Sequence, residues 1–297
     1  MRLSGILIAS VIFAAPALGQ STASEGPADE KAKKTYEHAL EEAKSTKGVI
    51  FALDDFKKAD KQDGGRCRAC HREMVKYGIK LHDRELACAP FRSPEGQAYF
   101  AAMKCAANMG FANRQVILHR IREVFSRLFR RSPEELGMRM VYDVAHNTAK
   151  LESHLIEGVP RQVLVHRKGA TRSLGPGMPG LPACYRETGQ PVIIGGSMET
   201  GSYLLAGLAG AAGTFCTTAH GSGRTMSRHQ AKKLVQGRKL LGEMEQRGIH
   251  VRTASYGGLA EEAGLAYKDI DVVVRTTEEA GLSRRVVKLV PMGNIKG

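Results

Sequence analysis

The string with the most chemistry in this chain is Ala219-His220-Gly221-Ser222-Gly223-Arg224. Glycines let a backbone come close to an anion, and a nearby guanidinium adds charge-assisted hydrogen bonds. A histidine held there suits a nucleotide site, although a plain glycine turn containing an ordinary histidine produces the same letters. His146 and Asn147 follow the strand-like Val141-Tyr142-Asp143-Val144. That places them at a strand end, where ligand groups commonly project, but a single histidine in such a place is more often a surface or packing residue. Gly195-Gly196-Ser197-Met198 closes an apolar run with a small-residue turn, another geometry that admits a phosphate and also a common loop.

A fourth pattern stands apart. Cys67-Arg68-Ala69-Cys70-His71 has the C-x-x-C-H spacing of covalent haem attachment, in which two thiols take the vinyl groups and the histidine binds iron. No cytochrome-sized segment surrounds it. Incidental cysteines, or a metal site using Cys67, Cys70 and His71, fit the same residues.

These residues need elements to position them. Ser93-Pro94-Glu95 has the form of a helix start, with serine as N-cap and proline in the first turn. Ile117, Ile121, Val124, Phe125 and Leu128 recur at helical spacing, so 94–130 is predicted to hold one or two helices with a buried face. Strands are predicted at Met138 to Val144, Gln162 to His166, Pro191 to Ile194, His250 to Ser255 and Asp271 to Arg275. Residues 227–247 carry Leu234, Val235, Leu241 and Met244 in an amphipathic helical pattern. The irregular alternation of helices and strands gives α+β as the class.

The N-terminal end has a different character. Residues 1–20 combine Arg2, an apolar run from Leu3 to Ala15 and a small-residue segment, which is the pattern of a signal peptide or a non-native leader. Residues 21–72 are polar and lysine-rich like a linker, with a helix predicted near 30–44. Over the whole chain, 44 Lys and Arg against 30 Asp and Glu leave a net charge of +14, so a polyanion is the natural partner, bound in a salt-dependent way. Charge alone does not separate RNA from DNA or anionic lipid. Six cysteines spread over 297 residues argue against a small disulfide scaffold and for reduced, buried thiols.

In order and wording, seven stretches resemble the RtcB family of RNA ligases. They are EMVKYGIKLHDRELACAPFRSPEGQ at 73–97, ANRQVILHRIREVF at 112–125, YDVAHNTAK at 142–150, VLVHRKGATR at 163–172, GQPVIIGGSMETGSY at 189–203, HGSGRTMSR at 220–228 and NIKG at 294–297. The resemblance spans residues 73–297 and implies the C-terminal, catalytic portion of an RtcB-like fold, with mixed sheets and packed helices.

What the resemblance implies about function is specific. His220 would attack GTP and carry GMP as a phosphoramidate in the presence of manganese (Mn2+), with His146 as a metal ligand and Asn147 as a nucleotide-contacting neighbour. Gly195, Gly196, Ser197, Met198, Ser202, His220, Gly221, Ser222, Gly223 and Lys296 would contact the guanylate. Lys168, Arg224 and Arg228 would lie near RNA phosphates. The reaction joins an RNA 3′-phosphate, or a 2′,3′-cyclic phosphate after hydrolysis, to a 5′-hydroxyl. A cytoplasmic location follows from the family, and export from a true signal peptide.

The match also breaks. The family's D-x-G-C-G, G-x-G-N-H and H-x-G-S-R metal segments have no counterpart in residues 1–72, and Glu199 and Ala219 stand where the family favours glycine and cysteine. Ligation by this chain alone is therefore expected to be impaired, and an archease-like activator or a partner chain supplying metal ligands is an implied partner. The competing readings are a non-catalytic RNA- or nucleotide-binding remnant and an exported haem-binding protein.

Overall fold

The structure is a computed structural model that describes residues 74, 76–80 and 88–296. The leader at 1–20, the helix near 30–44 and Cys67, Cys70 and His71 lie outside the described residues. Two compact units divide the chain, one over residues 139–297 and one ending at Met138. Helices and small sheets are interleaved, and the class is α+β.

In the unit ending at Met138, helix α1 runs Pro94–Phe129 without interruption. Ser93 caps it: its hydroxyl accepts from the Gly96 amide at 3.0 Å, and Pro94 occupies the first turn, where no amide is needed. The helix ends when Arg130 turns left-handed, with φ of 52°. Its apolar face is less covered than the periodicity suggests, since Val124 and Leu128 are 50% and 71% exposed.

Residues 139–297 hold the candidate site. Strands β1 (Asn147–Ile156) and β2 (Val159–Lys168) form a ten-residue antiparallel hairpin. Its two-residue turn, Glu157-Gly158, has positive φ at both positions, which matches the twist of the strands it joins. Strand β3 (Ala170–Arg172) then pairs with β6 (Thr217–Ala219), and β5 (Ser202–Gly207) lies between β4 (Pro191–Gly195) and β8 (Ser283–Leu289). Strand β7 (His250–Thr253) runs parallel to β9 (Gly293–Lys296). Val192, Ile194, Tyr203 and Leu205 from β4 and β5 pack on Ile270 and Val274, while Met198, Leu240, Met244, Val251 and Leu259 form a second core.

Four expectations are corrected. Met138 to Val144 form no strand, so His146 and Asn147 lie at the start of β1 and not beyond the end of an earlier strand. Asp271 to Arg275 belong to helix α5, Ile270–Glu279. Its β-branched run mimics a strand, but Ile270, Val274 and Thr277 are the buried positions, at helical spacing, and the Asp269 side chain caps the first turn by accepting from the Asp271 amide.

The single helix predicted at 227–247 is two, α2 (Arg228–Leu234) and α3 (Gly237–Gln246), parted by extended backbone at Val235 and Gln236. Gly237 marks the break because a Cβ there would stand 2.0 Å from the Tyr256 carbonyl oxygen at the start of α4 (Tyr256–Glu261). The described thiols are free, as expected, yet only Cys216 is buried; Cys88 and Cys184 are exposed. Burial raises the Cys216 thiol above its ordinary value. No helix among the described residues is long and apolar enough to cross a membrane.

Candidate active site

Gly195 is the hub around which the site is built. At the end of β4 it pairs with Ser202 on one side, and on the other it bridges Gly221. Its amide donates to the His220 carbonyl at 3.1 Å, and its carbonyl accepts from the Ser222 amide at 2.7 Å. The loop after β6 is thereby stitched to the strand end, and the two glycine segments, far apart in sequence, become one surface. Glycine suits this close approach: a Cβ on Gly221 would meet the Gly195 carbonyl oxygen at 3.2 Å, a tight contact.

The following turn is closed by side chains. Thr200 Oγ1 accepts from the Ser197 amide at 3.0 Å, and Ser197 Oγ accepts from the Glu199 and Thr200 amides at 3.2 Å each. Glu199 anchors this turn to its surroundings. One carboxylate oxygen accepts from the Gly264 amide at 2.7 Å, the other from Arg247 at 2.6 Å. Met198 is buried in the second core, and its carbonyl accepts from Asn294 Nδ2 at 3.0 Å. That bond ties the terminal strand to the turn. Lys296 pairs through its backbone with Thr253 in β7.

His146 and His220 come together. Their rings are parallel, 1° apart in orientation, with centroids separated by 4.4 Å. His220 is half-buried and its Nδ1 lies 2.5 Å from the Gly169 carbonyl oxygen. A carbonyl can only accept, so Nδ1 carries the proton and Nε2 of the neutral ring keeps a lone pair. Gly169 joins β2 to β3 with φ of +64°, and its amide donates to Asn147 Oδ1 at 3.0 Å. Lys168, exposed beside it, pairs with Asn147 across the hairpin.

Ser222 Oγ is buried and has no hydrogen-bond partner among the described residues. An unpaired buried hydroxyl is uncommon, and it marks a place where a water or a ligand oxygen can be bonded once the loop admits one. Gly223 beside it is exposed, with φ of +75° and open space where a side chain would stand.

The arginines divide. Arg224 has its guanidinium held within the protein: Nε donates to the Met226 carbonyl, one Nη to the Tyr267 hydroxyl and the other to the Glu261 carbonyl at 2.7 Å. Arg228, half exposed, bonds Glu262 Oε1 at 3.0 Å. Glu262 is buried between these cations and the Tyr267 hydroxyl; burial, then the bond to Glu262, push the tyrosine up to about 12. This cluster braces the loop, with Lys268 donating to the Gly223 carbonyl and Thr225 to that of Ala266.

Behind the hairpin, Arg167 is buried and bidentate to Glu152, both bonds 2.8 Å, with further bonds to Thr217 Oγ1 and the Phe215 carbonyl. Neither this brace nor Gly169 stood out in the sequence. The only signal was the single glycine between two strand-like runs in VLVHRKGATR.

Among the described residues, no three His, Cys, Asp or Glu side chains gather as a metal shell. Two stacked imidazoles fall short of the donors a divalent first-row ion takes. The described residues do not by themselves fit the manganese site that the resemblance implies.

Comparison with known proteins agrees with the sequence motifs. Residues 65–297 match the family described as tRNA-splicing ligase RtcB. The tRNA-splicing ligase RtcB of Pyrococcus furiosus is 51% identical over 232 residues, 77% of this chain and 24% of the relative. That of Thermococcus kodakarensis is 52% identical over 223 residues, 75% of this chain and 46% of the relative. The RNA-splicing ligase RtcB of Mycobacterium bovis is 48% identical over 230 residues, 77% of this chain and 52% of the relative. The chain thus spans between about a quarter and a half of the length of these relatives. By this match over most of its length, the chain belongs to the RtcB family.

Proposed function

We propose that this chain carries the guanylate-accepting half of an RtcB-type RNA ligase. His220 Nε2 attacks the α-phosphorus of GTP, a nitrogen–phosphorus bond forms, and pyrophosphate leaves. GMP then passes to an RNA 3′-phosphate, and a 5′-hydroxyl attacks that activated end with loss of GMP. The single observation that carries the reading is the bond from His220 Nδ1–H to the Gly169 carbonyl, which leaves the other ring nitrogen as a nucleophile. Ser222 Oγ supplies a donor for a ligand oxygen, and the open surface at Gly223 lets the backbone approach one.

Lys168 and Arg228 are the cations on this surface proposed to meet RNA phosphates, with Arg224 acting as the brace of the loop. Manganese requires donors beyond those the described residues hold. The same shortage favours a second reading, a nucleotide-binding remnant that does not turn over. Incubating the protein with α-labelled GTP and manganese, then denaturing it, tests the first. A covalent label that is acid-labile and absent from His220→Ala is expected; an unlabelled wild-type protein that still binds GTP leaves the remnant.

A further inference from the structure

We infer that Asn147 is a positioning residue for His220, acting through the peptide of Gly169. The inference rests on the reading of His220 as the guanylate acceptor and departs from the direct nucleotide contact that the resemblance assigns to Asn147. Asn147 Oδ1 accepts the Gly169 amide at 3.0 Å, and the carbonyl of the same residue accepts His220 Nδ1–H at 2.5 Å. Glycine 169 is therefore held at both ends of its own polar groups, by the asparagine on one and the histidine on the other.

The local geometry shows how a side chain comes to hold this corner. Strand β2 belongs to the hairpin with β1, whereas β3 leaves it to pair with β6. Gly169 is the switch between them, in the left-handed region at φ +64°, and its exposed amide, turned out of both ladders, is taken by Asn147 Oδ1 in place of water. The strand partners of the neighbouring positions are already taken: Lys168 is paired with Asn147, and the Ala170 amide donates to the His146 carbonyl at 3.3 Å. Asn147 Oδ1 fills the remaining place. Its amide orientation follows from the bonding, because the opposite flip would set two donors against each other.

A small bond has a large effect here. The two neutral tautomers of an imidazole lie close in energy, so the partner of one nitrogen decides which nitrogen keeps the lone pair. With Gly169 fixed, its carbonyl selects Nδ1–H and presents Nε2. If the peptide rotates away, His220 relaxes towards Nε2–H, the form in which the attacking nitrogen has no lone pair. The ring of His146 lies stacked against one face of His220.

The test uses the full chain, metal-free, with ¹⁵N-labelled histidine, and reads long-range proton–nitrogen correlations. His220→Ala identifies the resonances among the 10 histidines. The wild type is expected to show a protonated Nδ1 and a bare Nε2 at His220. Asn147→Ala should shift both nitrogens towards the opposite tautomer, and Asn147→Asp, which keeps an acceptor for the Gly169 amide, should restore the wild-type pattern. In single-turnover labelling at saturating GTP, Asn147→Ala should form the covalent guanylate about tenfold more slowly or worse. A wild-type His220 with the proton on Nε2, or an Asn147→Ala protein with an unchanged nitrogen pattern, overturns the inference. Loss of labelling in the wild type with the expected nitrogen shifts would instead sink the guanylate reading and leave the clamp standing.

Discussion

His146 and His220 stack ring on ring at 4.4 Å, although a hairpin and four further strands lie between them along the chain. The contact brings a residue just before β1 to the loop after β6, and Gly169 bonds both segments, through Asn147 on one and His220 on the other. Because the two rings face each other, His146 covers one face of the His220 imidazole.

Replacing His146 separates stacking from nitrogen chemistry. The residue is exposed, so His146→Ala should cost no more than about 1 kcal/mol of stability, by analogy with other surface changes and with the worth of one ring pair. His146→Phe should recover that loss. Neither variant should form the covalent guanylate if His146 has the metal-ligand role that the resemblance implies, since that role needs an imidazole nitrogen. Labelling restored by phenylalanine would reduce His146 to a packing surface.

The Arg167–Glu152 pair governs the hairpin that carries His146. Arg167 is buried and Glu152 half-buried, so Arg167→Met would leave the carboxylate with His154 alone beside it, at a cost of up to about 3–5 kcal/mol. Arg167→Lys should rescue little, because one ammonium cannot reproduce the fork to Glu152 together with the bonds to Thr217 and Phe215. Burial alone would raise Glu152, but the hydrogen bonds from Arg167 and His154 outweigh it and hold the carboxyl below its ordinary 4.5. A carboxyl depressed in the folded state contributes stability above its unfolded value and loses it as pH falls through the folded value. In urea unfolding, the gap between wild type and Glu152→Gln should therefore be full near neutrality and close progressively below pH 4.5. A gap of constant size down to strong acid would contradict the assignment.

The sequence made the glycine segments legible and left the braces hidden. Gly195-Gly196 and Gly221-Ser222-Gly223 are conspicuous because such spacing serves close backbone approach, and the structure joins them through Gly195. Glu152, Arg167 and Thr217 belong to three separate strands, and no local period connects them. Phe215 and Cys216 take left-handed backbone, with φ of 53° and 50°, at residues that give no turn signal. Asp271 to Val274 show the opposite failure: a β-branched run reads as a strand until its burial on one helical face overrides the propensity.

Two glycines distinguish a functional surface from a structural one. At Gly237, an added Cβ meets the Tyr256 carbonyl oxygen at 2.0 Å, backbone against backbone, so neither side can yield without moving a helix start. Gly237→Ala should destabilise by about 1–3 kcal/mol or more and lower activity only through loss of folded protein. At Gly223 a Cβ meets nothing within 4 Å, and the penalty is the left-handed backbone at φ +75°, about 1–2 kcal/mol. Gly223→Ala protein should therefore stay folded, yet the new methyl would stand where a phosphate is proposed to approach. Calorimetric titration with GTP at a temperature where both variants are folded should show affinity reduced about tenfold by Gly223→Ala, the equivalent of one charge-assisted hydrogen bond, and little changed by Gly237→Ala. Equal affinities for wild type and Gly223→Ala would remove the glycine loop from the nucleotide site, because the added methyl would then meet no ligand group at that position.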